Sequence, residues 1–174
     1  MLRKIDMVDF ANFRTSFCEC CDTKRKGECR LGYILDDRQF INWESFMEFL
    51  GGAVHDLKHC DAVYFQDNDR VCFIEQKNFN WFVDVNNKAK SKEVLLEELL
   101  EKCENSEHVL KEEYKQDIKS FFFCSYDLNN TNKKISVENI KRMIRNTYSP
   151  HFRDNGVLCD TCKNVANMIL YNVF

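Results

Sequence analysis

Residues 60–78, CDAVYFQDNDRVCFIEQKN, decide how this chain is read. Two short apolar runs, CDAVYF and RVCFIEQ, flank QDND, whose Asn and Asp side chains favour a tight reversal of the chain. The pattern predicts an antiparallel hairpin. Side chains two apart on a strand share a face, so Glu75 and Lys77 project together while Gln76 turns away and offers its backbone carbonyl. Pairing the strands brings the start of one beside the end of the other, which sets Asp61 next to Glu75.

Two carboxylates so placed raise each other's pKa unless a cation stands between them. A hard divalent ion, Mg²⁺ or Mn²⁺, held by one or two carboxylates, a carbonyl and water removes that conflict and leaves room for a phosphate oxygen. Asp61, Glu75 and Gln76 are the expected ligands. Lys77 would orient or deprotonate the attacking water, or balance charge on the phosphate in the transition state. The plainer alternative is an ion pair between Glu75 and Lys77 at a strand end, with Asp61 capping a turn. Both strands are otherwise apolar, so charges within them need a reason.

The run resembles the PD-(D/E)xK nuclease superfamily, whose motif sets an acidic residue at the opening of one core strand and (D/E)-x-K on the next. Here these are Asp61 and Glu75-Gln76-Lys77, with Cys60 in the place of the motif's proline. The order helix, hairpin, long helix, strand is similar to the family's αβββαβ core over residues 41–128, and LGYILDD at residues 31–37 is the candidate for a further strand. The resemblance implies an α/β (α+β), restriction-endonuclease-like core with a mixed central sheet flanked by helices. It also implies metal-dependent hydrolysis of phosphodiester bonds, DNA ahead of RNA as substrate, in a defence or mobile-element setting. Many members add an acidic residue from the first helix, and of Glu44 and Glu48 the latter lies nearer the hairpin in sequence.

Working outward, residues 1–40 read as a Cys-rich lead-in to a single domain spanning 1–174. From Ile41, the spacing of Trp43, Phe46, Met47 and Leu50 predicts a helix stopped by Gly51-Gly52. Leu96, Leu99, Leu100, Cys103, Leu110 and Tyr114 predict a long or broken amphipathic helix from about Lys92 to Lys119, with an acidic outer face. SFFFCSYDL reads as a central strand buried on both faces. Residues 129–174 are expected to pack on the core as an extension, with a helix at 136–147 capped by Ser136 and a short last helix or strand around Val165, Met168 and Ile169.

Ten cysteines without an apolar export segment read as reduced thiols or metal ligands in a cytoplasmic protein. Cys18-x-x-Cys21 and Cys159-x-x-Cys162 have the spacing of two zinc half-sites, so Zn²⁺ is a second candidate metal, with free thiols as the alternative. Cys60, Cys72, Cys103 and Cys124 sit in apolar patterns as core residues, and His55 and His59 read as surface or loop histidines. The net charge of -3 argues against a uniformly basic nucleic-acid binder. Lys133, Lys134, Lys141, Arg142, Arg145 and Arg153 make one region locally basic and are the expected nucleic-acid contacts. No uncharged apolar run is long enough for a membrane span. A rival reading keeps the nuclease fold without catalysis, as a zinc-bearing subunit acting through a protein partner or a second copy.

Overall fold

The computed structural model describes residues 9–17, 19–20, 40–52, 56–66, 70–77, 92–114, 119–126, 134–148 and 157–171. Within these, six strands form one sheet: β1 (Arg14–Thr15), β2 (Phe40–Asn42), β3 (Ala62–Phe65), β4 (Arg70–Lys77), β5 (Lys119–Tyr126) and β6 (Val157–Thr161). They lie side by side in chain order. The joints from β1 to β4 are antiparallel, and those from β4 to β5 and from β5 to β6 are parallel. A parallel joint needs a crossover, which α2 (Lys92–Tyr114) and α3 (Lys134–Tyr148) supply. Helix α1 (Trp43–Leu50) follows β2, and α4 (Cys162–Leu170) follows β6.

The apolar runs are continuous because both faces of the sheet are covered. Val71 and Phe73 of β4 join Ile41, Val63, Phe122 and Cys124 under Trp43, Phe46, Leu95, Leu99 and Ile144. Cys72 and Ile74, one residue out of phase, join Phe40, Ala62 and Phe121 against Phe17, Val165, Ala166 and Ile169. Helices α1, α2 and α3 therefore cover one face and α4 the other. The result is a mixed α/β sheet sandwiched between helices, as the hairpin reading requires.

Several boundaries differ from the sequence reading. Phe40–Asn42 is a strand, and α1 begins at Trp43, where the Asn42 side chain accepts the Ser45 N–H at 2.9 Å and caps the helix. Pairing of Ile41 with Val63 across the sheet overrides the helical spacing there. The helix ends as expected, with Gly51 at a φ of 65°. Ser136 lies inside α3, which starts at Lys134. The segment before α4 forms strand β6, which was not expected and whose five residues carry little periodicity. LGYILDD lies outside the described residues; the strand that flanks β3 is β2, which precedes α1 in the chain.

Candidate active site

Asp61 is fixed by its backbone. Its N–H donates to the Ile74 carbonyl at 3.0 Å, and its carbonyl accepts the Trp43 N–H at 3.1 Å, so the β3–β4 ladder is extended by one residue and tied to the start of α1. With Ala62 opposite Ile74, Asp61 falls opposite Glu75. Alternation then puts Asp61, Glu75 and Lys77 on the face of β4 that carries Val71 and Phe73, at the carboxyl ends of the parallel strands. Open α/β sheets commonly bind their ligands at that end.

The Glu75 side chain is fully buried. Lys77 Nζ lies 2.5 Å from its Oε1, and Lys102 Nζ, from α2, lies 2.8 Å from the same oxygen. Its other oxygen, Oε2, is buried and has no hydrogen-bond partner among the described residues. Lys102 Nζ also stands 3.9 Å from Asp61 Oδ1, and Asp61 Oδ2 accepts the Gln76 N–H at 2.6 Å. Two carboxyl and two ammonium groups thus share one small volume.

Lys102 is there because α2 is clamped to the chain just before Asp61. The buried Cys60 N–H donates to Ser106 Oγ at 2.9 Å, Asn105 donates its side-chain amide to the Lys58 carbonyl at 2.9 Å, and Lys58 pairs with Glu101 at 2.7 Å. Positions 95, 99, 102, 106 and 110 share one side of a helix, and Leu95, Leu99, Ser106 and Leu110 are all buried. Lys102 interrupts that stripe.

Burial, and next the Glu75 charge, push the Asp61 carboxyl up to about 8, against the pull of Lys102, Lys77 and the Gln76 N–H. Burial is the largest single influence on Lys77 and Lys102 and works against their charge, yet Glu75 and Asp61 together outweigh it and both ammonium groups are held above the ordinary lysine range. His59 lies at the edge of the same field: burial lowers its pKa, Lys102 adds to that, and Glu44 and Glu75 oppose it. Its Nδ1 is 3.2 Å from the Cys60 carbonyl.

The other expected site residues are placed less centrally. Gln76 points to the opposite face, where its Nε2 donates to the Phe17 carbonyl at 2.9 Å. Glu48 is exposed on α1, and among the described residues no hydrogen bond or ion pair joins it to the cluster; Glu44, also exposed, is the helix carboxylate whose charge reaches His59. On α3, Lys141 pairs with Glu138 at 3.4 Å and Asp160 at 3.7 Å, while Arg142 and Arg145 are exposed. Lys133 and Arg153 lie outside the described residues, as does the side chain of Lys134.

The zinc arrangement does not form as the spacing predicts. Cys159 sits beside Cys124 in the apolar cluster on the face covered by α1, α2 and α3, whereas Cys162, the first residue of α4, belongs to the cluster of Ile74 and Val165 on the other side of the sheet. A Cys-x-x-Cys half-site needs both sulfurs on one side, and the turn from β6 into α4 separates them. Cys18 and Cys21 lie outside the described residues.

Among the described residues, no three His, Cys, Asp or Glu side chains gather into a ready metal cage. The donors at the candidate site are the Asp61 and Glu75 carboxylates. This set suits Mg²⁺ or Mn²⁺, which are commonly held by one or two carboxylates and complete their shell with water and substrate phosphate. The open Oε2 of Glu75 is the feature that fits such an ion, since a buried carboxylate oxygen without a partner is costly.

No family model, no curated protein and no solved structure matches this chain.

Two residues of the cluster, Lys102 and His59, escaped the sequence reading. A lysine at helical spacing between Leu99 and Ser106 was the available signal for the first, because charge on the apolar face of a helix needs a counter-charge across from it. His59 carries no signal of its own beyond standing two residues before Asp61.

Proposed function

We propose that this chain is a divalent-metal-dependent nuclease that hydrolyses phosphodiester bonds of DNA or RNA on a PD-(D/E)xK-type core. The observation that carries the reading is the meeting of Asp61, Glu75 and Lys77 at the carboxyl end of the parallel strands, with one Glu75 oxygen buried and open. Asp61 and Glu75 would hold Mg²⁺ or Mn²⁺. Such an ion, when bound, polarises a phosphoryl oxygen and makes a water more acidic.

The protein's own groups divide the remaining work. The Gln76 N–H holds Asp61 Oδ2 in place, so that Oδ1 faces the Lys102 side. Lys77 keeps its proton beside Glu75 and, at the partly open mouth of the site, orients water or neutralises charge on a phosphate oxygen. The exposed Arg142 and Arg145 of α3, on the face of the sheet that bears the site, offer contacts to a phosphate backbone. DNA stands ahead of RNA as substrate, and the family resemblance suggests a defence or mobile-element role.

Glu75 already has two ammonium groups beside it without any ion, and that favours a second reading: a non-catalytic subunit of the same ancestry acting on a protein partner. Cleavage decides between them. Single- and double-stranded DNA and RNA are incubated with Mg²⁺ or Mn²⁺ and the native chain, Glu75→Gln or Lys77→Ala. The enzyme reading expects metal-dependent cutting that falls at least about a hundredfold in each variant; no cutting of any substrate by the native chain moves the assignment to the non-catalytic subunit.

A further inference from the structure

The position of Lys102 has a consequence for how the site takes up a cation. Its Nζ bridges the two carboxylates, 2.8 Å from Glu75 Oε1 and 3.9 Å from Asp61 Oδ1. A divalent ion taken up by the open Oε2 of Glu75 and shared with Asp61 would stand beside that ammonium group. Two cations beside a fully buried Glu75 carboxylate, with Lys102 itself mostly buried, repel more strongly than they would in open water. The backbone of α2 is held in place by Ser106 and Asn105, so relief has to come from the side chain alone, through its four-carbon stem.

We infer that Lys102 is a built-in counter-ion of the acidic pair, neutralising it in the metal-free protein and swinging away when a divalent ion enters. The inference rests on the reading of Asp61 and Glu75 as metal ligands. Lys102 is then a positioning residue with two opposed effects: it lets the protein fold with an empty site, and it weakens the grip on metal. Lys77 differs in this respect, since it reaches Glu75 from the same strand and carries no ion pair to Asp61.

The test measures metal uptake directly and does not depend on turnover. Mn²⁺ is titrated into the full chain while the spectrum of the free ion is followed by electron paramagnetic resonance, for the native protein, Lys102→Met, Lys102→Arg and Glu75→Gln. A parallel series records the melting temperature with and without Mn²⁺. Lys102→Met is expected to bind Mn²⁺ about tenfold tighter than the native chain, to melt lower without metal, and to regain more on its addition. Lys102→Arg, which keeps the charge, should bind as the native chain does. Lys102→Gln, whose amide still donates to Glu75, replaces the Met variant if that one does not fold.

Mn²⁺ binding that is lost in Glu75→Gln but unchanged or weaker in Lys102→Met would overturn the counter-ion role and leave the metal site standing. Absence of Mn²⁺ binding in every form, Lys102→Met included, would overturn both.

Discussion

At the scale of single residues, the site is built on a carboxyl that does not hold its charge easily. Asp61 is pushed up to about 8, from an ordinary value of 3.8, chiefly by burial and then by Glu75. In the unfolded chain the same group ionises near its ordinary value, so between about pH 4 and 8 the folded state binds a proton that the unfolded state has released. Stability contributed by the protonated carboxyl is complete below the unfolded value and is lost as pH rises through the folded one. Without metal, Asp61→Asn should therefore gain on the native chain across that window, by at most roughly 1.4 kcal/mol per pH unit, and run parallel to it outside. Chemical denaturation of both proteins in chelator at several pH values measures the difference, and a constant offset would show that Asp61 does not titrate there. The placement of Asp61, Glu75 and Lys77 was legible in the sequence, because strand alternation and hairpin pairing are local rules. Lys102 was not, because its partner lies 27 residues away and nothing local says which turn of a long helix will face the hairpin.

Among the elements, α2 does more than cover the sheet. Its third and fourth turns are stitched to residues 58–60 by Ser106 and Asn105, and this fixes which of its residues looks into the site. Ser106 is fully buried, as is the Cys60 backbone it receives. Replacing it with Ala leaves that N–H without an acceptor and should lower stability by about 1–3 kcal/mol. The same change loosens Lys102, so Mn²⁺ affinity in Ser106→Ala should move towards that of Lys102→Met; a variant that melts lower but binds Mn²⁺ as the native chain does would separate the clamp from the site. Long elements with strong patterns were read correctly: the hairpin, the α2 helix and the β5 strand. The short strands were not. β2 has three residues and β6 has five, and each is a strand because a neighbour offers a ladder, as Val63 does for Ile41 and Cys124 for Cys159. The same tertiary choice sends Cys159 and Cys162 to opposite faces and dissolves the half-site their spacing promised.

For the molecule as a whole, the acidic balance of -3 and the exposed arginines of α3 are compatible only if charge is sorted between regions. No helix among the described residues is long and apolar enough to cross a membrane. The order of the sheet, with neighbours in space following neighbours in the chain, was within reach of the sequence for β3 to β5 and hidden at the two edges. That order also sets a sequence of events. Asp61 comes beside Glu75 as soon as the β3–β4 hairpin closes, its bond to the Gln76 N–H spanning 15 residues, whereas the α2 clamp spans 46 and forms after a longer search. During folding the two carboxylates therefore wait together with only Lys77 for company. Lys102 joins them only when α2 docks, and Lys102→Met should leave the refolding rate nearly unchanged while unfolding becomes roughly tenfold faster, as stopped-flow fluorescence of the tryptophans would record. The ammonium of Lys102 would then be the latch that closes behind the folded chain: it contributes little to the speed of folding and much to the lifetime of the native state.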